Sequence, residues 1–295
     1  MPLRQYPMKM TRRSFAYRLA GLSSLAALSS IHLMRAAEPT RRKGRLRQAV
    51  CRGVFRGADL DLEGMCRETA RLGACGIDLV GPDAFPTLKK YGLVPTMVPG
   101  GGSIKKGIND KNNHAEIELK LIETIKVAAA GGAPNVIIMA GDRVGISEEQ
   151  GLDTSVAFLN KIKSVAEDNE ITLCLELLNS KVNHPGYMAD STKWGVEMCK
   201  RVNSPRVKLL YDIYHMQIME GDIIRTIRQS IQYIGHFHTA GNPGRNEFDE
   251  SQELNYPAIC KAIADLGFQG YFAHEYSPTR DALGTLDRMM KLCEV

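Results

Sequence analysis

The chain has 295 residues, 44% hydrophobic and 24% charged, with 27 Gly, 13 Pro and seven Cys in no C-x-x-C pair. This excludes low-complexity disorder, a collagenous chain, a disulfide scaffold and zinc-ribbon or thioredoxin-type motifs, and it leaves enough chain for a large core. The net charge of +5 belongs to the N-terminus: residues 1–37 hold six Lys/Arg and no acid, whereas from Gln48 onward 27 basic residues face 32 acidic ones, so charge gives no case for a nucleic-acid partner.

Thr11-Arg12-Arg13-Ser14-Phe15 precedes a weakly apolar run from Ala16 to Met34, with small residues following at Ala36-Ala37. A basic start, a short apolar stretch and small residues are the parts of a secretory signal, and paired arginines with Phe two residues on resemble a twin-arginine signal. The resemblance implies export of a folded, metal-loaded protein to the periplasm or the extracellular space. Arg18 and His32 interrupt the run, and it is shorter than the ~20 strongly apolar residues of a spanning helix, which argues against a stable membrane span. An amphipathic N-terminal helix is the competing reading. Arg35-Ala36-Ala37 is a poor A-x-A match, so an uncleaved membrane anchor is the alternative to processing. Residues 1–37 are read as the signal peptide, 38–47 as a solvated basic tether and 48–295 as one barrel domain.

After residue 37, short apolar runs alternate with helical patterns. The expected strands are Ala49–Phe55, Gly76–Val80, Leu93–Val98, Asn135–Ala140, Ile171–Leu177, Val207–Tyr211, Ile234–His238 and Tyr271–His274. The expected helices are Leu60–Leu72, Ala84–Tyr91, Ala115–Ala130, Leu152–Asp168, Thr192–Val202, Asp222–Ser230, Ala258–Leu266 and Asp281–Leu292. Several end on a glycine suited to a left-handed cap, as at Gly73 and Gly267. Eight alternations in about 250 residues predict an α/β fold, a single (β/α)8 TIM barrel preceded by the signal peptide. A doubly wound sheet would want a G-x-G-x-x-G loop after an early strand, and none is present. Gly100-Gly101-Gly102 leads into Ser103-Ile104-Lys105 and reads as a flexible loop. Cys51 and Cys174, inside apolar strands, read as buried thiols.

The second half places polar residues at four consecutive strand ends: Glu176, Asp212, His238 and Glu275. In a barrel these ends meet at the face that carries active sites. Three carboxylates resist joint ionisation at close range, and a divalent metal resolves this. Three oxygen donors and one imidazole suit Mn2+ or Mg2+, with Co2+ or Zn2+ as alternatives. His236 shares a face with His238 by strand alternation but lies deeper, and His274 points the other way. The segment Asp212-Ile213-Tyr214-His215 is expected to loop His215 over the site. Arg245, in the Asn242–Glu247 loop, is a candidate fork for a substrate carboxylate or hydroxyls, against a surface pairing with Glu247.

At these residues the sequence resembles the xylose isomerase-like TIM-barrel superfamily and, within it, the hydroxypyruvate isomerase family. The matching pieces are Leu175-Glu176-Leu177-Leu178-Asn179, Tyr211-Asp212-Ile213-Tyr214-His215, Pro243-Gly244-Arg245-Asn246-Glu247, Glu253-Leu254-Asn255-Tyr256 and His274-Glu275-Tyr276. Gly101-Gly102-Ser103-Ile104, Asn112-Asn113-His114 and Pro134-Asn135-Val136-Ile137 also match, so the likeness covers nearly the whole body from residue 48. It implies one divalent metal on Glu176, Asp212, His238 and Glu275, a catalytic pair Glu176 and Glu275, and substrate contacts from His215 and Arg245. Glu253 and His114 carry no assigned role. His238 stands where the family often has Gln, which brings the chain closer to the related ketose 3-epimerases.

The expected activity is isomerisation of a small α-hydroxycarbonyl compound through an enediolate, hydroxypyruvate to tartronate semialdehyde first. A sugar ketose epimerase or keto-sugar isomerase is the alternative, and a non-catalytic sugar-binding protein is a third reading. An abasic-site endonuclease of the superfamily would want further ligands that strands two and three lack. The expected partners are a small hydroxycarbonyl or sugar substrate, with a homo-oligomer allowed.

Overall fold

The computed structural model describes residues 42–143 and 145–295; the expected signal peptide and the start of the tether lie outside the described residues. Eight strands follow in order: β1 Arg47–Cys51, β2 Gly76–Asp78, β3 Val94–Pro99, β4 Asn135–Ile138, β5 Thr172–Leu177, β6 Val207–Asp212, β7 Ile234–Thr239 and β8 Tyr271–His274. Every neighbouring pair is parallel, and β1 pairs with β8 to close the barrel. The helices are α1 Leu62–Arg71, α2 Phe85–Lys90, α3 His114–Ala130, α4 Glu148–Asp168, α5 Thr192–Val202, α6 Ile213–Met219, α7 Ile223–Ser230, α8 Tyr256–Asp265 and α9 Ala282–Leu292.

Strand alternation divides the side chains into two sets. Val50, Ile77, Val136, Leu175, Leu209, Phe237 and Phe272 join the main core between strands and helices. Cys51, Met97, Ile137, Cys174 and Leu210 form small separate clusters inside the barrel. The inward parity that places Cys174 and Leu210 in the interior also places Glu176 and Asp212 there, one pleat further toward the C-terminal face. Strands buried on both faces lack the polar alternation of a half-solvated strand, which is why the apolar runs are legible as parallel strands.

Three local features differ from the sequence expectation. The first strand ends at Cys51, and Val54 and Phe55 belong to a 3-10 turn over Arg52–Phe55. Ile213–Met219 is helical, with Asp212 as its N-cap, rather than a loop. Arg42, expected in a solvated tether, instead donates to Asp287 at 2.8 Å, Glu294 at 3.3 Å and the Leu72 carbonyl at 2.9 Å. That arginine ties the start of the barrel to α9 and to the end of α1.

Candidate metal centre

Glu176 on β5, Asp212 on β6, His238 on β7 and Glu275 just after β8 each offer one donor atom within 4.8 Å of the other three. Asp212 and His238 are buried and Glu176 is 6% exposed. His238 Nδ1 stands 3.1 Å from Glu275 Oε2 and 3.3 Å from Glu176 Oε1. It nevertheless makes no hydrogen bond. The other ring nitrogen, Nε2, lies 3.0 Å from Asp78 Oδ2. A buried imidazole nitrogen without a partner, turned toward carboxylates, is the expected state of a lone pair that takes a cation. Three carboxylate oxygens and one imidazole nitrogen fit a hard divalent ion.

The electrostatics point the same way. Burial raises Asp212, Arg245 opposes that and Glu275 adds to it, and the carboxyl is pushed up to about 6. For Glu275 burial works upward too, but His238 and Arg245 outweigh it and hold the carboxyl well below the usual range. Two carboxyls at one site thus separate in acidity, as like charges at close range must. Burial opposes the charged form of His238, and the neighbouring Cys51 sulfur with the Glu275 and Asp78 carboxylates pushes the ring upward, as a site that favours positive charge does.

Asp212 divides its oxygens between two tasks. Oδ1 accepts the His215 backbone N–H at 3.1 Å and so caps α6, while Oδ2 lies 3.6 Å from Arg245 Nη2. The cap explains why the segment after Asp212 coils into α6: a carboxylate at the N-cap satisfies a free N–H. The helix puts His215 in the first turn, fully buried rather than looped into solvent. Its Nδ1 accepts the Asn179 backbone N–H at 3.1 Å, so the proton sits on Nε2, which has no hydrogen-bond partner and lies 3.7 Å from Asp212 Oδ2. Burial, with Arg245 nearby, pushes His215 down to about 3. His215 is therefore a neutral N–H donor beside the carboxylates.

Arg245 donates to Glu275 Oε2 at 2.6 Å, and its guanidinium lies 5.7 Å from the centre of the Tyr214 ring. The alternative pairing with Glu247 is not made; Glu247 accepts from Arg280 Nε at 3.0 Å and from the Thr279 N–H at 3.0 Å. Arg245 holds φ at +58°, a left-handed conformation that side chains rarely adopt. A cavity of about 680 Å3 opens beside these groups. Leu79, Ile104, Ile137 and Met139 line its apolar side, and Glu176, His184, Arg245 and Glu275 its polar side.

The structure thus brings together all six residues singled out from sequence. It keeps His236 deeper in the barrel and turns His274 outward onto Gln48 Oε1 at 2.8 Å. Glu253 accepts from Asn242 and Gln217 away from the four donors, and His114 Nε2 meets the Ile108 carbonyl at 2.8 Å. Sequence reasoning missed Asp78 and His184. Asp78 carried a signal: an acid within Gly76-Ile77-Asp78-Leu79-Val80 must be buried, and a buried acid needs a partner.

Comparison with known proteins agrees with this architecture. The family described as "Xylose isomerase-like TIM barrel" matches residues 87–292. The chain is 32% identical over 155 residues to the hydroxypyruvate isomerase of Escherichia coli, covering 52% of this chain and 59% of that one. The curated relatives it matches first are spanned over 61% to 68% of their length. Among solved structures, an AP endonuclease of family 2 from Brucella melitensis superposes with a TM-score of 0.76 at 23% identity, covering 83% of this chain and 99% of that one. D-psicose 3-epimerase from Clostridium cellulolyticum gives a TM-score of 0.71 at 20% identity, covering 85% and 100%. At such identities the two structures share the fold. With its eight parallel strands and the family match over most of its length, the chain belongs to the xylose isomerase-like TIM-barrel family.

Proposed function

We propose that the chain is a metal-dependent isomerase of small α-hydroxycarbonyl compounds, with hydroxypyruvate and tartronate semialdehyde as its first substrate pair. The observation that carries this reading is the convergence of Glu176, Asp212, His238 and Glu275 around the unpartnered Nδ1 of His238, with Arg245 alongside. The relative described as a hydroxypyruvate isomerase supports the substrate. Glu176, Asp212, His238 and Glu275 would hold the ion, Mn2+ or Mg2+ by donor type and Co2+ or Zn2+ by alternative. When bound, the ion supplies Lewis acidity and offsets the carboxylate charge.

The chain's own groups then account for the proton movements. Arg245 takes the substrate carboxylate through a charged hydrogen bond. Glu176 removes the proton from C3 of hydroxypyruvate, which leaves an enediolate across C2 and C3. The proton passes from Glu176 to Glu275, which delivers it at C2, and the hydroxyl proton on the C3 oxygen passes to the C2 oxygen, giving tartronate semialdehyde. His215, neutral and with its Nε2–H free, donates to the substrate oxygens as charge develops on them. General acid–base transfer of this kind contributes roughly 10^2- to 10^4-fold. Glu275→Gln is therefore expected to lower turnover by at least about 100-fold while the melting temperature holds. Near-wild-type turnover in that variant would sink the assignment.

A specific observation favours a second reading. A cavity of about 680 Å3 with an apolar wall is larger than a three-carbon acid fills. A ketose epimerised by the same two carboxylates would use more of it. Rates on hydroxypyruvate and on a panel of ketohexoses separate the two: proton exchange on a ketose alone selects the epimerase.

A further inference from the structure

Beneath the four donors lies a second set of buried polar groups that the reaction does not use. Asp78 is fully buried, and its Oδ2 receives two imidazole nitrogens, His236 Nε2 at 2.6 Å and His238 Nε2 at 3.0 Å. Its Oδ1 accepts the Thr96 hydroxyl. Cys51 Sγ lies 3.6 Å from His238 Nε2. Cys51, Asp78 and His238 are close enough to suggest a second ion. The Asp78 carboxylate is already satisfied there: Oδ2 accepts from His236 at 2.6 Å and His238 at 3.0 Å, both lengths of N–H···O bonds, and Oδ1 accepts the Thr96 hydroxyl. The trio is a hydrogen-bonded network with His238 at its upper edge.

The backbone is shaped to deliver this carboxylate. The β2–β3 register shifts between Ile77 and Asp78, and the next residue, Leu79, holds φ at +59°. A β-branched or bulky side chain avoids that conformation unless its surroundings enforce it, and a register shift re-aims the side chain beside it. Both irregularities flank the residue that faces the two histidines.

We propose that Asp78 is the positioning residue of the metal centre: it accepts the Nε2–H of His238 and thereby leaves Nδ1 as the unprotonated nitrogen facing Glu176, Asp212 and Glu275. An ionised carboxylate is acceptor-only, so Nε2 carries the proton, and in the neutral ring that takes a cation the lone pair is left on Nδ1. Outer carboxylates that orient a ligating histidine typically control 10- to 100-fold in metal affinity. This inference rests on the metal reading of the site.

The test is a double-mutant cycle on Mn2+ affinity, read from the free-ion electron paramagnetic resonance signal of the full chain. Asp78→Asn should weaken Mn2+ by about 10- to 100-fold in the wild-type background. In the H238Q background, where no imidazole tautomer exists to be set, the same change should cost less than about 3-fold. Equal losses in both backgrounds, or no loss in the first, would overturn the role assigned to Asp78. A wild type that binds no Mn2+ would overturn the metal reading itself, a distinct result. If Asp78→Asn does not fold, 15N spectra of the metal-free wild type with the His238 ring neutral decide: a proton on Nε2 is expected, and a proton on Nδ1 contradicts the proposal.

Discussion

Arg245 shows how much the chemistry depends on a single side chain. Its guanidinium is held against Glu275 at 2.6 Å on a backbone with φ of +58°. Removing a charged hydrogen bond costs about 1.5–3 kcal/mol, which is roughly 10- to 150-fold in rate. Arg245→Ala should therefore lower kcat/KM on hydroxypyruvate by that factor. It should leave Mn2+ affinity equal or higher, because a competing cation leaves the carboxylates. Weaker Mn2+ binding would contradict the separation of substrate contact from metal donors. Arg245→Lys should not restore the wild-type rate, since a point charge lacks the fork. Arg245 was legible as a substrate fork only through its Pro/Gly-rich loop, and nothing in the spacing distinguished Glu275 from Glu247 as its partner. The four donors were legible because each follows an apolar strand with the right parity. Asp78 ends β2 but is followed in sequence by the apolar Leu79 and Val80, so it does not read as a strand end.

At the scale of elements, the cavity wall depends on a close backbone approach. The loop from Gly100 to Lys105 lines the cavity, and Gly107 then runs against the end of β4. A Cβ on Gly107 would lie 2.2 Å from the Ala140 carbonyl carbon and oxygen, so the backbone must shift to admit it. Overpacking of this kind costs typically about 1–3 kcal/mol. Gly107→Ala should lower the midpoint of thermal unfolding accordingly and reduce kcat/KM, with Mn2+ affinity unchanged, since the four donors stand on or just after β5 to β8 and none on the segment that Gly107 touches. A variant with wild-type kcat/KM would show that the loop does not shape the site. The helix α6 was the element least legible in sequence. Its seven residues, Ile213–Met219, are too few for a clear period, and its start is fixed by the Asp212 cap, which the sequence presents first as a metal donor.

For the whole molecule, eight alternations of strand and helix were readable because parallel strands buried on both faces form continuous apolar runs. Closure by β1 and β8 follows from that count and brings distant residues such as Val50 and His274 into register. We propose that the chain is exported folded through a twin-arginine route, carried by Arg12 and Arg13. Replacing both with Lys should retain the protein inside the cell, as cell fractionation would show. Unchanged export would argue for the general secretory signal instead.

The central claim is that this site moves a carbon-bound proton between adjacent carbons. Proton NMR of hydroxypyruvate in D2O with the Mg2+-loaded protein tests it most directly. The account predicts enzyme-dependent deuterium incorporation at C3, with tartronate semialdehyde appearing and its formation lost in the Glu275→Gln variant. No exchange into hydroxypyruvate or any ketose, in protein shown to hold its metal, would contradict it.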